Sequence, residues 1–269
     1  MGRVVKDSGE QKAAAGAIGI IPARWGATRF PGKLLARLGG RTVLEHVYRR
    51  AAAARQLDSL RVATDDERIR REVENFGGRV IMTSSAPRTG TERAAEACRG
   101  LEAEIVVNIQ GDEPFLRPAM IDRLVRELAR NPELPAVTLV KKRAGGEWLN
   151  DPNQVKAVLD REGFALYFSR SPIPAAGEEP PREAFRHIGL YGYRRRFLAR
   201  LVGLEPGPLE LQERLEQLRI LEYGYRIKVI QTDYETIGID TPADLERARA
   251  YLRKFTAETQ RTQRSAKKT

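Results

Sequence analysis

Cysteine is almost absent from this 269-residue chain. Cys98 stands alone, so no intramolecular disulfide can form, and a reducing compartment is expected. Histidine is nearly as scarce: His46 and His187 with a single thiol are a poor basis for a Cys/His zinc centre. No apolar run approaches the roughly 20 residues that cross a bilayer. The opening MGRVVKDSGEQKAAAG lacks the apolar stretch of a secretory signal. A cytoplasmic protein without a membrane partner is expected. Acidic residues are outnumbered, 36 Asp and Glu against 47 Lys and Arg, a net +11 that by itself would suit a nucleic-acid binder. Its distribution argues otherwise. Residues 253–269 carry Arg253, Lys254, Arg261, Arg264, Lys267 and Lys268 against Glu258 alone, and 1–16 add a further small excess. Both ends are polar and aperiodic, and they read as disordered extensions of a folded region spanning 17–252. Nucleic acid is therefore not the expected partner, and anionic substrates account better for the remaining charge.

What the chain does have is a regular alternation. Apolar runs at 17–22, 60–64, 79–83, 104–109 and 136–141 read as strands. Helical patterns at 42–54, 66–76, 91–100 and 117–130 separate them, which predicts βαβ units and a doubly wound, mostly parallel α/β sheet. From about 154 the rhythm changes. QVKAVLD and FALYFS follow closely across a glycine and predict a hairpin, and a strand is expected at 188–193. Together, 154–193 reads as a small β-rich insertion on one sheet, serving substrate binding or dimerisation. Helices at 194–203 and 210–223, a strand at 226–232 and a last helix from Thr241 complete the pattern.

Ligands of open α/β sheets bind at the carboxyl ends of strands, and three polar clusters fall there. The first is IIPARWGATRFPGK, 20–33, where Arg24, Arg29 and Lys33 share a loop with two glycines. Backbone N–H groups and cations in such a loop suit a polyphosphate, although a surface loop with its cations in water fits equally. Its spacing is not that of a Walker A loop. The second is QGDEP, 110–114, where Asp112 could hold Mg²⁺ against phosphates, beside the alternative of an ordinary turn. The third is GIDTPADLERA, 238–248. Thr241, Pro242 and Asp244 suit a helix cap, and Asp240, outside the cap, could reach the same metal if the two strands lie close. Asp65 and Asp66 read as caps, His46 as structural and Cys98 as packed. In LYGYR, Tyr191 and Tyr193 read as packed, with one ring able to line a pocket.

These segments, with GTER (90–93), ALYFSR (165–170), RHIGLYGYR (186–194) and LEQLR (215–219), occur in an order that resembles the 3-deoxy-manno-octulosonate (Kdo) cytidylyltransferase family over about residues 17–252. The resemblance implies a nucleotidyltransferase (nucleotide-diphospho-sugar transferase) fold, a homodimer and Mg²⁺. It also implies transfer of CMP from CTP to Kdo, with release of diphosphate, in lipopolysaccharide biosynthesis. Carried over by position, Asp112 and Asp240 are implied as metal ligands and Arg24 and Lys33 as triphosphate binders, with Arg29 nearby. Arg88, Thr89, Gly90, Thr91 and Gln110 fall at the nucleoside side, and Arg170, His187, Tyr191, Glu216 and Gln217 in the acid-sugar pocket. Arg24, Lys33, Asp112 and Asp240 would be the catalytic set. Two departures stand out: Ala27 where the family usually has Ser, and Ala86-Pro87 where it usually has Asp-His. Other readings are transfer to 8-amino-Kdo or a sialic-type acid, a sugar-1-phosphate nucleotidyltransferase, and a non-catalytic RNA-binding protein.

Overall fold

The first buried strand, β1 (Ala17–Pro22), carries isoleucines on both faces, so it needs a cover of helices on each side. The computed structural model describes residues 16–26, 29–175 and 181–253 and supplies those two layers. The chain runs through the small ribbon β2 (Arg37–Leu38) and β3 (Arg41–Thr42), then α1 (Val43–Ala52), β4 (Ser59–Thr64), α2 (Glu67–Asn75), β5 (Val80–Met82), α3 (Gly90–Ala97), β6 (Ile105–Asn108), α4 (Pro118–Arg130) and β7 (Ala136–Arg143). It continues with β8 (Lys156–Leu159), β9 (Ala165–Ser169), β10 (Ala184–Arg194), α5 (Arg195–Leu201), α6 (Pro208–Glu213), α7 (Gln217–Glu222) and β11 (Ile227–Gln231). A last helix, α8, occupies 242–253. Of the extensions expected at 1–16 and 253–269, residues 1–15 and 254–269 lie outside the described residues, as does the departure at Ala27, while Arg253 still belongs to α8.

The strand order is β11-β7-β10-β6-β1-β4-β5. β1 pairs in parallel with β4 and β6, β4 with β5, and β7 with β11. One face packs Ile21 and Val107 against Leu44, Val47, Leu124 and Leu128 of α1 and α4. The other packs Ile18, Ile20 and Val106 against Ala94, Ala97 and Leu198 of α3 and α5. Burying each such aliphatic side chain contributes about 1.5–3 kcal/mol, so the apolar runs dominate the choice of sheet.

Two expectations need correction. β10 is longer than 188–193 and lies antiparallel between β6 and β7. Its first part also pairs with the β8–β9 hairpin, so the insertion and the main sheet share this strand. The single helix expected at 210–223 is two helices, broken at Arg214, which sits in the left-handed region (φ 55°). Tertiary bonds outweigh local helix preference there. The Glu213 carboxylate accepts from Ser169 Oγ at 2.6 Å and Arg170 N at 2.9 Å, holding α6 to the end of β9.

Candidate active site

The loop after β1 turns on Gly32, whose φ of 70° favours glycine. A Cβ there would meet the Trp25 ring at 2.8 Å, so the side chain that packs on the hinge also excludes any larger residue. Gly32 N–H donates to Trp25 O (3.1 Å), and a short 3₁₀ turn, Lys33–Leu35, follows. That turn buries Leu34 and places Lys33 in the crevice.

Asp112 is set by the turn after β6. A Cβ on Gly111 would lie 3.2 Å from Pro22 O, so only bare backbone fits this close against β1. Ile239 N–H donates to Asp112 O at 2.9 Å and ties the segment before α8 to the same turn. Capping then frees Asp240. Thr241 Oγ1 accepts from Asp244 N (3.2 Å), while the Asp244 carboxylate accepts from Asp240 N (3.1 Å) and Thr241 N (2.8 Å). The cap consumes Asp244 and leaves the Asp240 side chain facing the crevice.

Both carboxylates converge on one ammonium. Lys33 Nζ donates to Asp112 Oδ2 at 2.5 Å and to Asp240 Oδ1 at 2.9 Å, and Arg29 pairs with Asp240 Oδ2 at 3.1 Å. Burial pulls the Lys33 pKa down, but the two aspartates outweigh it and hold it above its ordinary value. Two carboxylates reaching one nitrogen are close enough to share one cation. No cluster of three or more His, Cys, Asp or Glu exists among the described residues. Two oxygens with the remainder left to water and phosphate is the donor set of Mg²⁺ rather than of Zn²⁺.

Two cavities of about 440 and 430 Å³ meet at this point, sharing Gln110, Asp112, Glu216 and Asp240 in their walls. The first is lined by Arg24, Arg29, Lys33, Arg88, Thr89 and Gly90. The second is lined by Thr91, Arg170, His187, Tyr191 and Gln217. Every residue assigned to the site from the sequence thus lines one cavity or both. A larger depression of about 770 Å³, with Arg130, Arg200 and Tyr225 in its wall, lies at the opposite end of the parallel strands and has only one carboxylate, Glu133.

The second cavity differs from expectation in its details. Arg170 donates to three carbonyls, Glu213 O (2.9 Å), Pro152 O (2.8 Å) and Arg214 O (3.4 Å), which braces the wall and leaves two of its five N–H groups without a protein partner among these bonds. Burial, with Arg186 adding to it, pulls the His187 imidazole down to about 3, so it is neutral. Tyr191 and Tyr193 are both packed in the core, as expected, and both rather than one also border the cavity. Residues two apart on a strand share a face, and the rings stack at 5.5 Å along the cavity wall. Glu216 accepts from Thr91 Oγ1 at 2.9 Å, and burial raises its pKa.

Arg186 and Glu113 also line the second cavity and were not singled out from the sequence. Arg186 reaches Thr236 Oγ1 (3.1 Å) and Glu235 (3.3 Å), and burial with Asp112 nearby pushes Glu113 up to about 7. Glu113 was absorbed into the reading of Glu-Pro as a turn. For Arg186 the signal was only its place beside His187.

Comparison with known proteins agrees with this geometry. The family model described as Cytidylyltransferase matches residues 18–230. The 3-deoxy-manno-octulosonate cytidylyltransferase of Solibacter usitatus is 50% identical over 86% of this chain and 92% of its own length. That of Geobacter sulfurreducens is 50% identical over 85% of this chain and 96% of its own. A solved CMP:2-keto-3-deoxy-manno-octonic acid synthetase complexed with CTP superposes with a TM-score of 0.85 at 38% identity, covering 89% of this chain and 99% of that one. The 4-diphosphocytidyl-2C-methyl-D-erythritol synthase of Anaerococcus prevotii shares the fold alone, at TM-score 0.60 and 17% identity over 89% of this chain and 99% of that one. With a matching family model over most of its length and curated relatives at half identity, this chain belongs to the 3-deoxy-manno-octulosonate cytidylyltransferase family.

Proposed function

We propose that the chain transfers CMP from CTP to the anomeric hydroxyl of Kdo, releasing diphosphate, with Mg²⁺ held by Asp112 and Asp240. On this reading it is a cytoplasmic homodimer that supplies an activated sugar for lipopolysaccharide. The observation that carries it is the meeting of Asp112 and Asp240 on Lys33 where two cavities join. One cavity is rich in cations and suits the triphosphate and nucleoside; the other suits the acid sugar. A bound Mg²⁺ would neutralise phosphate charge and polarise the α-phosphate.

The chain's own groups supply the rest. Arg24, Arg29 and Lys33 balance the charge that builds up as diphosphate departs. Lys33, held above its ordinary pKa, stays a cation throughout the neutral range. Thr89, Gly90 and Gln110 border the nucleoside side, where Arg88 directly follows the Ala86-Pro87 that replaces Asp-His. Glu216 and Gln110, common to both cavities, lie where the sugar hydroxyl must approach phosphorus in line. No covalent intermediate is needed, since phosphoryl-type transfers depend on positioning and charge neutralisation.

Diphosphate release from CTP, measured with Kdo, 8-amino-Kdo and sialic-type acids, tests the reading. Kdo should turn over only with Mg²⁺, and Asp112→Asn should lower kcat at least about a hundredfold with the fold intact. Turnover with a congener and none with Kdo would move the assignment to that sugar. An Asp112→Asn variant as active as wild type would remove the metal role.

A further inference from the structure

Thr138 of β7 stands where β10 slips register. The pairing steps from Ile188 opposite Leu139 to Tyr191 opposite Thr138, so Gly189 and Leu190 form a bulge. The fully buried Thr138 hydroxyl lies 3.3 Å from Ile188 O, 3.0 Å from Leu190 O and 3.0 Å from His187 Nε2. A hydroxyl has one proton, and a carbonyl can only accept. If that proton goes to the carbonyls, the hydroxyl faces His187 as an acceptor and Nε2 must carry the ring proton. The reverse assignment would set the hydroxyl lone pairs against two carbonyl oxygens with no proton between them.

With the imidazole neutral, Nδ1 is then a bare acceptor. It makes no hydrogen bond within the described residues and is not one of the enclosed polar atoms, which leaves it open to the second cavity. We infer that Thr138 is a positioning residue of the acid-sugar pocket: it fixes His187 as the Nε2–H tautomer, so that Nδ1 reads a hydroxyl of the sugar rather than its carboxylate. This rests on taking the second cavity as the sugar side. It also explains why the bulge is placed beside His187. The carbonyls it turns inward are the ones that orient the hydroxyl.

Nitrogen NMR of protein labelled with ¹⁵N-histidine reads the tautomer directly, and with only His46 and His187 present a His46→Gln variant assigns the signals. The wild type and Thr138→Ser should show a protonated Nε2 and an unprotonated Nδ1 at His187. Thr138→Val keeps the shape without the hydroxyl; it should show a mixture of tautomers. Its KM for Kdo should rise about tenfold, the scale of one lost hydrogen bond, while KM for CTP stays within about twofold and Thr138→Ser restores the sugar KM. A wild-type His187 protonated on Nδ1 overturns the inference whether or not the variant folds. So does a Thr138→Val variant with unchanged tautomer and unchanged KM. The expected tautomer in a protein that does not turn over Kdo would support the positioning role and remove the proposed reaction instead.

Discussion

One ammonium group, Lys33 Nζ, bridges two carboxylates that lie 79 and 207 positions away in the chain, with Arg29 adding a second positive charge at Asp240. Each partner was legible in the sequence for a local reason: Asp112 follows a strand, although an ordinary turn fitted it too, and Asp240 stands outside a helix cap, which the structure places nine residues beyond the end of β11. Their meeting on Lys33 was not, because no local pattern encodes contacts of that range. The same limit applies to His187. Its place in RHIGLYGYR suggested a pocket residue able to serve a carboxylate, but burial decides its charge, and burial depends on the Phe168 and Tyr191 rings packed around it at 4.9 and 5.4 Å. A pH dependence of stability follows. The folded imidazole is held at about 3, whereas the unfolded side chain titrates near 6.5. Between those values the unfolded state takes up a proton that the folded state does not. His187 therefore subtracts stability as pH falls from about 6.5 to 3, by at most about 1.4 kcal/mol per unit. Urea midpoints of wild type and His187→Gln should diverge in this window, the wild type losing more with each step down. Parallel midpoints would mean that the folded imidazole is not held below its ordinary pKa.

The starts of α1 to α4 were legible to within one residue, both where a side chain marks them and at α4, which no side chain caps. Thr42, Asp66 and Thr89 cap α1, α2 and α3 by accepting from Glu45 N, Arg68 N and Glu92 N. The element that failed, 210–223, has a continuous helical pattern and is broken only by its partners. Glu213 is held by the end of β9, and Glu210 pairs with Arg219 through two bonds of 2.6 Å. The Thr241 cap is the one that bears on function, since Asp240 precedes it directly. Thr241→Ala removes a bond to Asp244 N and should cost about 1 kcal/mol, lowering Tm by about 2–4 °C. Freed from the box, Asp240 loses its fixed position. The Mg²⁺ concentration for half-maximal turnover should therefore rise, and Thr241→Ser should recover most of both losses. A Tm loss with unchanged Mg²⁺ dependence would show that the cap serves stability alone.

At the scale of the whole molecule, periodicity gave the number and type of most elements, and strand order is what it could not give. β10 enters antiparallel between β6 and β7, so the strand carrying His187 and Tyr191 runs beside the strand that leads to Asp112, and the sugar side meets the phosphate side. The same insertion leaves an apolar surface. Four of the six exposed large apolar side chains among the described residues, Leu166, Leu209, Leu211 and Tyr223, lie on β9, on α6 and at the end of α7. These elements adjoin one another: Glu213 of α6 holds the end of β9, and α7 packs on both. Among the described residues β9 pairs with β8 alone, so its other edge has no strand partner there. Scattered single leucines need no explanation, but a group of them beside an open strand edge fits a surface that a second copy covers. This is the face on which the proposed homodimer would form. Leu166, 61% exposed, is the point at which to break it. Light scattering should give twice the chain mass for wild type and the single mass for Leu166→Glu, with Tm little changed because most of the side chain is already exposed. A wild-type protein that remains at one chain mass at all concentrations would leave this face without its partner and the dimer without support.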